Sequence, residues 1–267
     1  GVDQYLLKPI RPAELTRVIE GVARQIEESK QKSTLPRGYD QDEVQYALLQ
    51  HYMQQLLYGG LDTAPLLELI EGCRSDISPR QPATRQELLH YAYRVAACVG
   101  ISSATVMGAS PAARDYAMAL GYALQLVNIL RDVAEDCRKH GRVYLPADDM
   151  ELFGVTVDDI YNQRYNYRMR QLLAYEAALA EKYFCESEEL YQAMSVEDRN
   201  ALIPAQAMSL IYHNVLEKMQ DDEYRVFERR YSVNNFRKIW FLLRARIGSF
   251  EFPSIAEWGF LYNEKKD

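Results

Sequence analysis

Apolar and polar positions along most of this chain alternate with the three-to-four-residue period of a helix, and sustained alternation of the strand type is absent. The pattern therefore predicts an all-α protein. Thr84 and Glu87 make a capping-box pattern ahead of a helix over 88–99, with Pro82 just upstream. A long helix is predicted over 112–139, stopped by Gly141 and Pro146. Residues 158–194 read as one or two helices studded with tyrosines, 195–198 restart the pattern, and helices over 205–220 and 233–247 complete the set.

Within the long helix one stripe changes character. At about 100° per residue, Gln125, Asn128, Asp132 and Asp136 point the same way, so four oxygen-bearing side chains share one face. One to two turns earlier the same stripe holds Ala117, Met118, Gly121 and Leu124. A solvated helix face is the plain alternative, but such a face stays polar along its length, whereas this one passes from small and apolar to carboxylate-rich within a turn. The expectation is an oily tunnel with an ionic mouth.

Two carboxylates at i and i+4 repel by roughly 0.2–0.5 kcal/mol on an exposed helix unless a cation sits between them. Magnesium suits the role, since it prefers oxygen ligands, keeps several waters and is held by one or two carboxylates plus substrate phosphates. Arg131 and Arg142 add fixed positive charge with the fork geometry that phosphate oxygens accept. The set predicts a Mg2+-diphosphate site.

Composition narrows the alternatives. The 267 residues are 48% hydrophobic and 26% charged, enough for one sizeable core and at most two domains. A net charge of -7 argues against nucleic acid, because phosphate backbones attract basic surfaces. Cys73, Cys98, Cys137 and Cys185 form no CxxC pair, as expected of reduced thiols in the cytoplasm. His51, His90, His140 and His213 lack metal-site spacing, and the 20 tyrosines are expected chiefly in core and interface packing. The uncharged run over 95–113, which Arg94 precedes, is too rich in Ser, Gly, Ala and Thr to span a bilayer, so it is expected as buried helix, with peripheral membrane contact left open. No GxGxxG fingerprint indicates NADPH.

The first 35 residues differ from the rest. They suggest a short apolar strand, a turn at Lys8-Pro9 and a helix entered at Pro12, resembling the tail end of a response-regulator receiver domain without its phosphoacceptor. A plain N-terminal helix with an extended lead is the alternative. Residues 30–40, with Pro36 and Gly38, read as a linker. The expected division is a receiver-like fragment or N-terminal extension over 1–35 and a helical domain over 36–267, incomplete at its N-terminus.

From about Asp42 onward the chain resembles the squalene/phytoene synthase family of head-to-head prenyl synthases. Four blocks carry the likeness: LLELIEGCRSD at 66–76, YAYRVAACVG at 91–100, QLVNILRDVAEDCRKHGRVYLP at 125–146, and Tyr212 followed by YRVFERR at 224–230. The third matches the family's second aspartate-rich motif. The resemblance implies an isoprenoid-synthase-type helical bundle in which Asp132 and Asp136 are catalytic and bind magnesium with Asn128. Gln125 would stand beside them, Arg131, Arg142, Tyr212 and Arg229 would contact diphosphate, and Tyr91, Val95, Ala96, Val99 and Gly100 would line a prenyl channel.

The activity so implied is Mg2+-dependent condensation of two prenyl diphosphates, farnesyl or geranylgeranyl, to a squalene- or phytoene-type product through a cyclopropyl diphosphate. The family's first aspartate-rich motif and its N-terminal helices have no counterpart before Asp42, where Asp40, Asp42 and Glu43 have the wrong spacing. An inactive relative serving in assembly, or an inactive truncated or fused fragment, is therefore the alternative.

Overall fold

The computed structural model of the chain describes residues 62–247. The receiver-like stretch lies outside them. Within them ten α-helices follow one another: α1 Ala64–Ser75, α2 Arg85–Ala92, α3 Cys98–Val106, α4 Arg114–His140, α5 Ala147–Phe153, α6 Val157–Tyr161, α7 Tyr167–Ala193, α8 Val196–Ala201, α9 Ile203–Asp221 and α10 Asn235–Ile247. A π-helical turn, Tyr93–Ala97, joins α2 to α3, and a 3-10 turn, Pro111–Ala113, leads into α4. No strand occurs among the described residues, in keeping with the all-α expectation.

Local chemistry sets the boundaries. Thr84 caps α2 by accepting from Glu87 N, while Glu87 Oε2 accepts from Ala83 N at 2.8 Å, one residue earlier than a strict capping box. The expected helix over 95–113 stops at Val106, because Gly108 takes φ 87° and Ser110 and Pro111 then start a new helix. The stretch 158–194 splits in two where Asn166, in extended backbone, caps α7 through Met169 N. Helices α1 and α5 go beyond the sequence pattern: α1 starts behind Asp62, whose Oδ1 accepts from Ala64 N, and α5 starts directly after Pro146.

Helix α4 is the hub, packed along much of its length against α7 and also against α3, the π turn and α9. Its close neighbours come near because a glycine meets an alanine at each contact: a Cβ at Gly121 would lie 2.5 Å from Ala97 Cα, and one at Gly100 would lie 2.6 Å from the Ala117 carbonyl oxygen. A polar seam ties α7 to α9, with Glu181 bonded to His213 and Gln220, and Glu188 accepting from Gln206 Nε2 at 2.7 Å. His213 is thus a satisfied core histidine, and Tyr116 and Tyr191 pack their rings in the core. Among the described residues no helix is long and apolar enough to cross a membrane.

Candidate functional site

The last four turns of α4 carry the acidic stripe, and they end at a left-handed Gly141. Arg142 N donates to the Asp136 carbonyl oxygen at 3.0 Å, closing the helix and turning the chain back toward α1. A pocket of about 410 Å³ opens over the stripe, lined by Tyr91, Gln125, Asn128, Arg131, Asp132, Asp136, Tyr144 and Tyr212 with Ile129. Seven of the residues singled out from the sequence therefore meet around one space.

The two aspartates are treated differently by their surroundings. Arg131 folds back on its neighbour, donating from Nε to Asp132 Oδ1 at 3.0 Å and from Nη2 to Oδ2 at 2.5 Å, and Arg230 Nε lies 3.5 Å from the same carboxylate. Asp136 has no ion pair among the described residues, and partial burial, then the nearby Asp132 charge, raises its pKa above the ordinary carboxylate value. The buried Asn128 Oδ1 has no hydrogen-bond partner. Asn128 thus brings to the pocket lining, one turn before Asp132, an amide with unused hydrogen-bonding capacity.

One wall of the pocket is a network that joins Tyr91 and Arg142, both singled out from the sequence, to Asp76 and Tyr144. The Tyr91 and Tyr144 rings stack with centroids 5.1 Å apart, and both hydroxyls donate to Asp76 Oδ1, at 3.2 and 3.3 Å. Arg142 Nη2 donates to the Asp76 carbonyl oxygen at 2.8 Å, and its Nη1 to the Tyr144 hydroxyl at 3.3 Å. Burial, then the bond to Tyr144, drives the Tyr91 pKa well up, so the phenol keeps its proton. Arg142 thus braces the wall from the residue after the helix stop. Asp76 and Tyr144 lie in the blocks at 66–76 and 125–146 but were given no role there; the crossing of α1 with the loop after α4 brings them together.

Other expected positions fall elsewhere. Arg229 pairs with Asp222, Nε to Oδ2 at 3.2 Å, and it is the next residue, Arg230, that reaches Asp132. Both arginines line a second space of about 430 Å³ on the far side of Asp132, with Arg138, Lys139 and Phe227. Val95 packs near Gly72, Val99 is exposed, and Ala96 and Gly100 lie along the side of the π turn and α3 that meets α4. At Ala117 and Gly121 the stripe meets Gly100 and Ala97 rather than open space, so this part of the expected oily tunnel is a close helix crossing.

The donors present fit magnesium. Among the described residues no group of three or more His, Cys, Asp or Glu forms, so a metal held here would take part of its coordination from water or a ligand. Two carboxylates with the Asn128 and Gln125 side chains offer the sparse oxygen set of a cation that keeps its waters and shares substrate phosphate.

A helical bundle of this arrangement is of the isoprenoid-synthase type. It superposes on a dehydrosqualene synthase crystal structure with a TM-score of 0.61 at 32% identity, covering 70% of this chain and 65% of that one. It also superposes on squalene synthase HpnC from Alicyclobacillus acidocaldarius with a TM-score of 0.57 at 26% identity, covering 64% and 65%. A family model described as squalene/phytoene synthase matches residues 8–237, and the chain belongs to that family.

Among the relatives, a phytoene synthase of Arthrospira platensis is 38% identical over 205 residues, 70% of this chain and 65% of that protein. Phytoene synthase 3 of Zea mays is 36% identical over 201 residues, 73% and 46%. The chain thus spans less than two thirds of the length of these relatives. The family match begins at residue 8, inside the stretch set apart as receiver-like, and the receiver resemblance finds no support.

Proposed function

We propose that this chain carries the metal-diphosphate site of a head-to-head prenyl synthase, joining two farnesyl or geranylgeranyl diphosphates to a squalene- or phytoene-type product through a cyclopropyl diphosphate. The observation that carries this is that Asp132, Asp136 and Asn128 line one pocket together with Arg131 and Tyr212. Relatives named phytoene synthase favour the phytoene-type outcome.

Magnesium, when bound, would supply charge for the departing diphosphate and a template for its oxygens, held by Asp132, Asp136 and Asn128. Arg131 offers a planar fork to phosphate oxygens, and the Tyr212 hydroxyl, which meets Arg131, offers one more donor. Ionisation of an allylic diphosphate leaves a carbocation, so the reacting carbons need walls that keep water away. The stacked Tyr91 and Tyr144 rings form one such wall, with their hydroxyls turned to Asp76.

Asp132→Asn removes a ligand charge while keeping the shape. It is expected to weaken Mg2+-dependent binding of a prenyl thiodiphosphate by more than about tenfold in calorimetry, with the helical circular dichroism unchanged. The parent, given geranylgeranyl diphosphate and Mg2+, is expected to release pyrophosphate. Equal binding by the variant would show the site to be wrongly placed.

A further inference from the structure

Neighbouring residues on a helix point about 100° apart and do not ordinarily pair. Arg131 and Asp132 do pair, through two parallel N–H bonds that occupy both carboxylate oxygens, with each side chain largely withdrawn from solvent. Arg230 adds a second positive charge to the same carboxylate. Asp136, one turn further on, has no such partner among the described residues. The site as folded therefore balances one of its two acids internally and leaves the other to a ligand.

We infer that Arg131 is a built-in counter-ion that holds Asp132 until a metal-bound diphosphate arrives, so that the site discriminates against metal alone. This rests on the metal-diphosphate reading of the pocket given above. A bare divalent cation approaching Asp132 meets two guanidinium charges and must break the fork to bind. A metal diphosphate brings its own acceptors for those donors, and Arg131 already touches Tyr212 on the pocket wall, so its guanidinium needs only to turn from carboxylate to phosphate. Metal and diphosphate then favour each other's binding through Arg131, and by linkage the enhancement is the same in either direction.

The test is Mn2+ binding, used as a spectroscopic stand-in for Mg2+ and followed by electron paramagnetic resonance, alongside separate titrations with inorganic pyrophosphate alone. Arg131→Gln is expected to bind Mn2+ alone about three- to tenfold more tightly than the parent and pyrophosphate alone more weakly. Arg230→Gln alters an exposed side chain that threatens no fold, and should tighten Mn2+ alone in the same direction by less. Arg131→Lys, which keeps charge but not the fork, should fall between parent and Arg131→Gln. A structural role alone would weaken both ligands together.

Unchanged or weaker Mn2+ binding by both Arg131→Gln and Arg230→Gln, in proteins that bind Mn2+ with pyrophosphate present, would overturn the counter-ion role and leave the site standing. Absence of Mn2+ binding in every protein, with or without pyrophosphate, would overturn the site and the inference together.

Discussion

Glu176 shows what one buried acid does to the stability of this bundle. Its side chain is almost wholly buried on α7, where Arg85 Nη2 lies 3.4 Å from Oε1 and 3.3 Å from Asp149 Oδ2. Burial, then the adjoining Asp149, pushes its pKa up to about 8 against the pull of Arg85. The folded chain therefore keeps a proton that the unfolded chain gives up near pH 4.3. This contribution to stability is complete below that pH and is lost as pH rises through about 8. The melting temperature of the parent is expected to fall between pH 5 and pH 9, and Glu176→Gln, which keeps a neutral hydrogen-bonding group there, to lose most of that slope. An identical slope in both proteins would show that other groups set it. Nothing in the sequence marks this cluster, because Arg85, Asp149 and Glu176 come from three helices. Gln125, Asn128, Asp132 and Asp136 were legible because one helix carries them all, whereas Arg230 and Asp76 come to the site from elsewhere in the fold.

At the scale of the element, α4 carries Asp136 about one turn from its negative end, where Arg138, Lys139 and His140 in the last turn offset the dipole. The C-terminal end of α4 was readable from Gly141, since a left-handed glycine acts locally, whereas the 3-10 turn at Pro111–Ala113 that leads into it was not. The π turn at Tyr93–Ala97 was not readable, because the segment reads as ordinary helix and its widened turn shows only in the packed structure, where Gly121 of α4 lies closest to Ala96 and Ala97. A methyl at Gly121 would meet backbone atoms, which cannot rotate aside. Gly121→Ala is expected to cost about 1–3 kcal/mol in denaturant unfolding and to weaken diphosphate binding, because Tyr91 stands one turn before the displaced segment. A variant as stable as the parent would mean that the two helices slide apart without cost. A second contact of the same kind makes Gly100 a poor place to probe a channel, since a larger residue there meets the Ala117 carbonyl oxygen first.

For the whole molecule, the helical class was legible because no stretch alternates like a strand, but which helices pair is decided by contacts distant in sequence. The seam of Glu181 with His213 and Glu188 with Gln206 fixes α7 against α9, and α7 in turn lies along the hub that carries the acidic stripe. Because the pocket draws on α2, α4, α9 and the loop after α4, a ligand there holds the folded arrangement of all of them and has nothing to hold in the unfolded chain. Mass action then converts binding into stability, by about 2.7 kcal/mol at a ligand concentration one hundred times its Kd. For a protein of this size that corresponds to a rise in Tm of roughly 5–10 °C. Mg2+ with pyrophosphate is expected to produce such a rise in the parent, Mg2+ alone much less, and the pair no rise in Asp132→Asn. A rise of equal size in Asp132→Asn would place the stabilising ligand elsewhere on the molecule, away from the acidic stripe of α4.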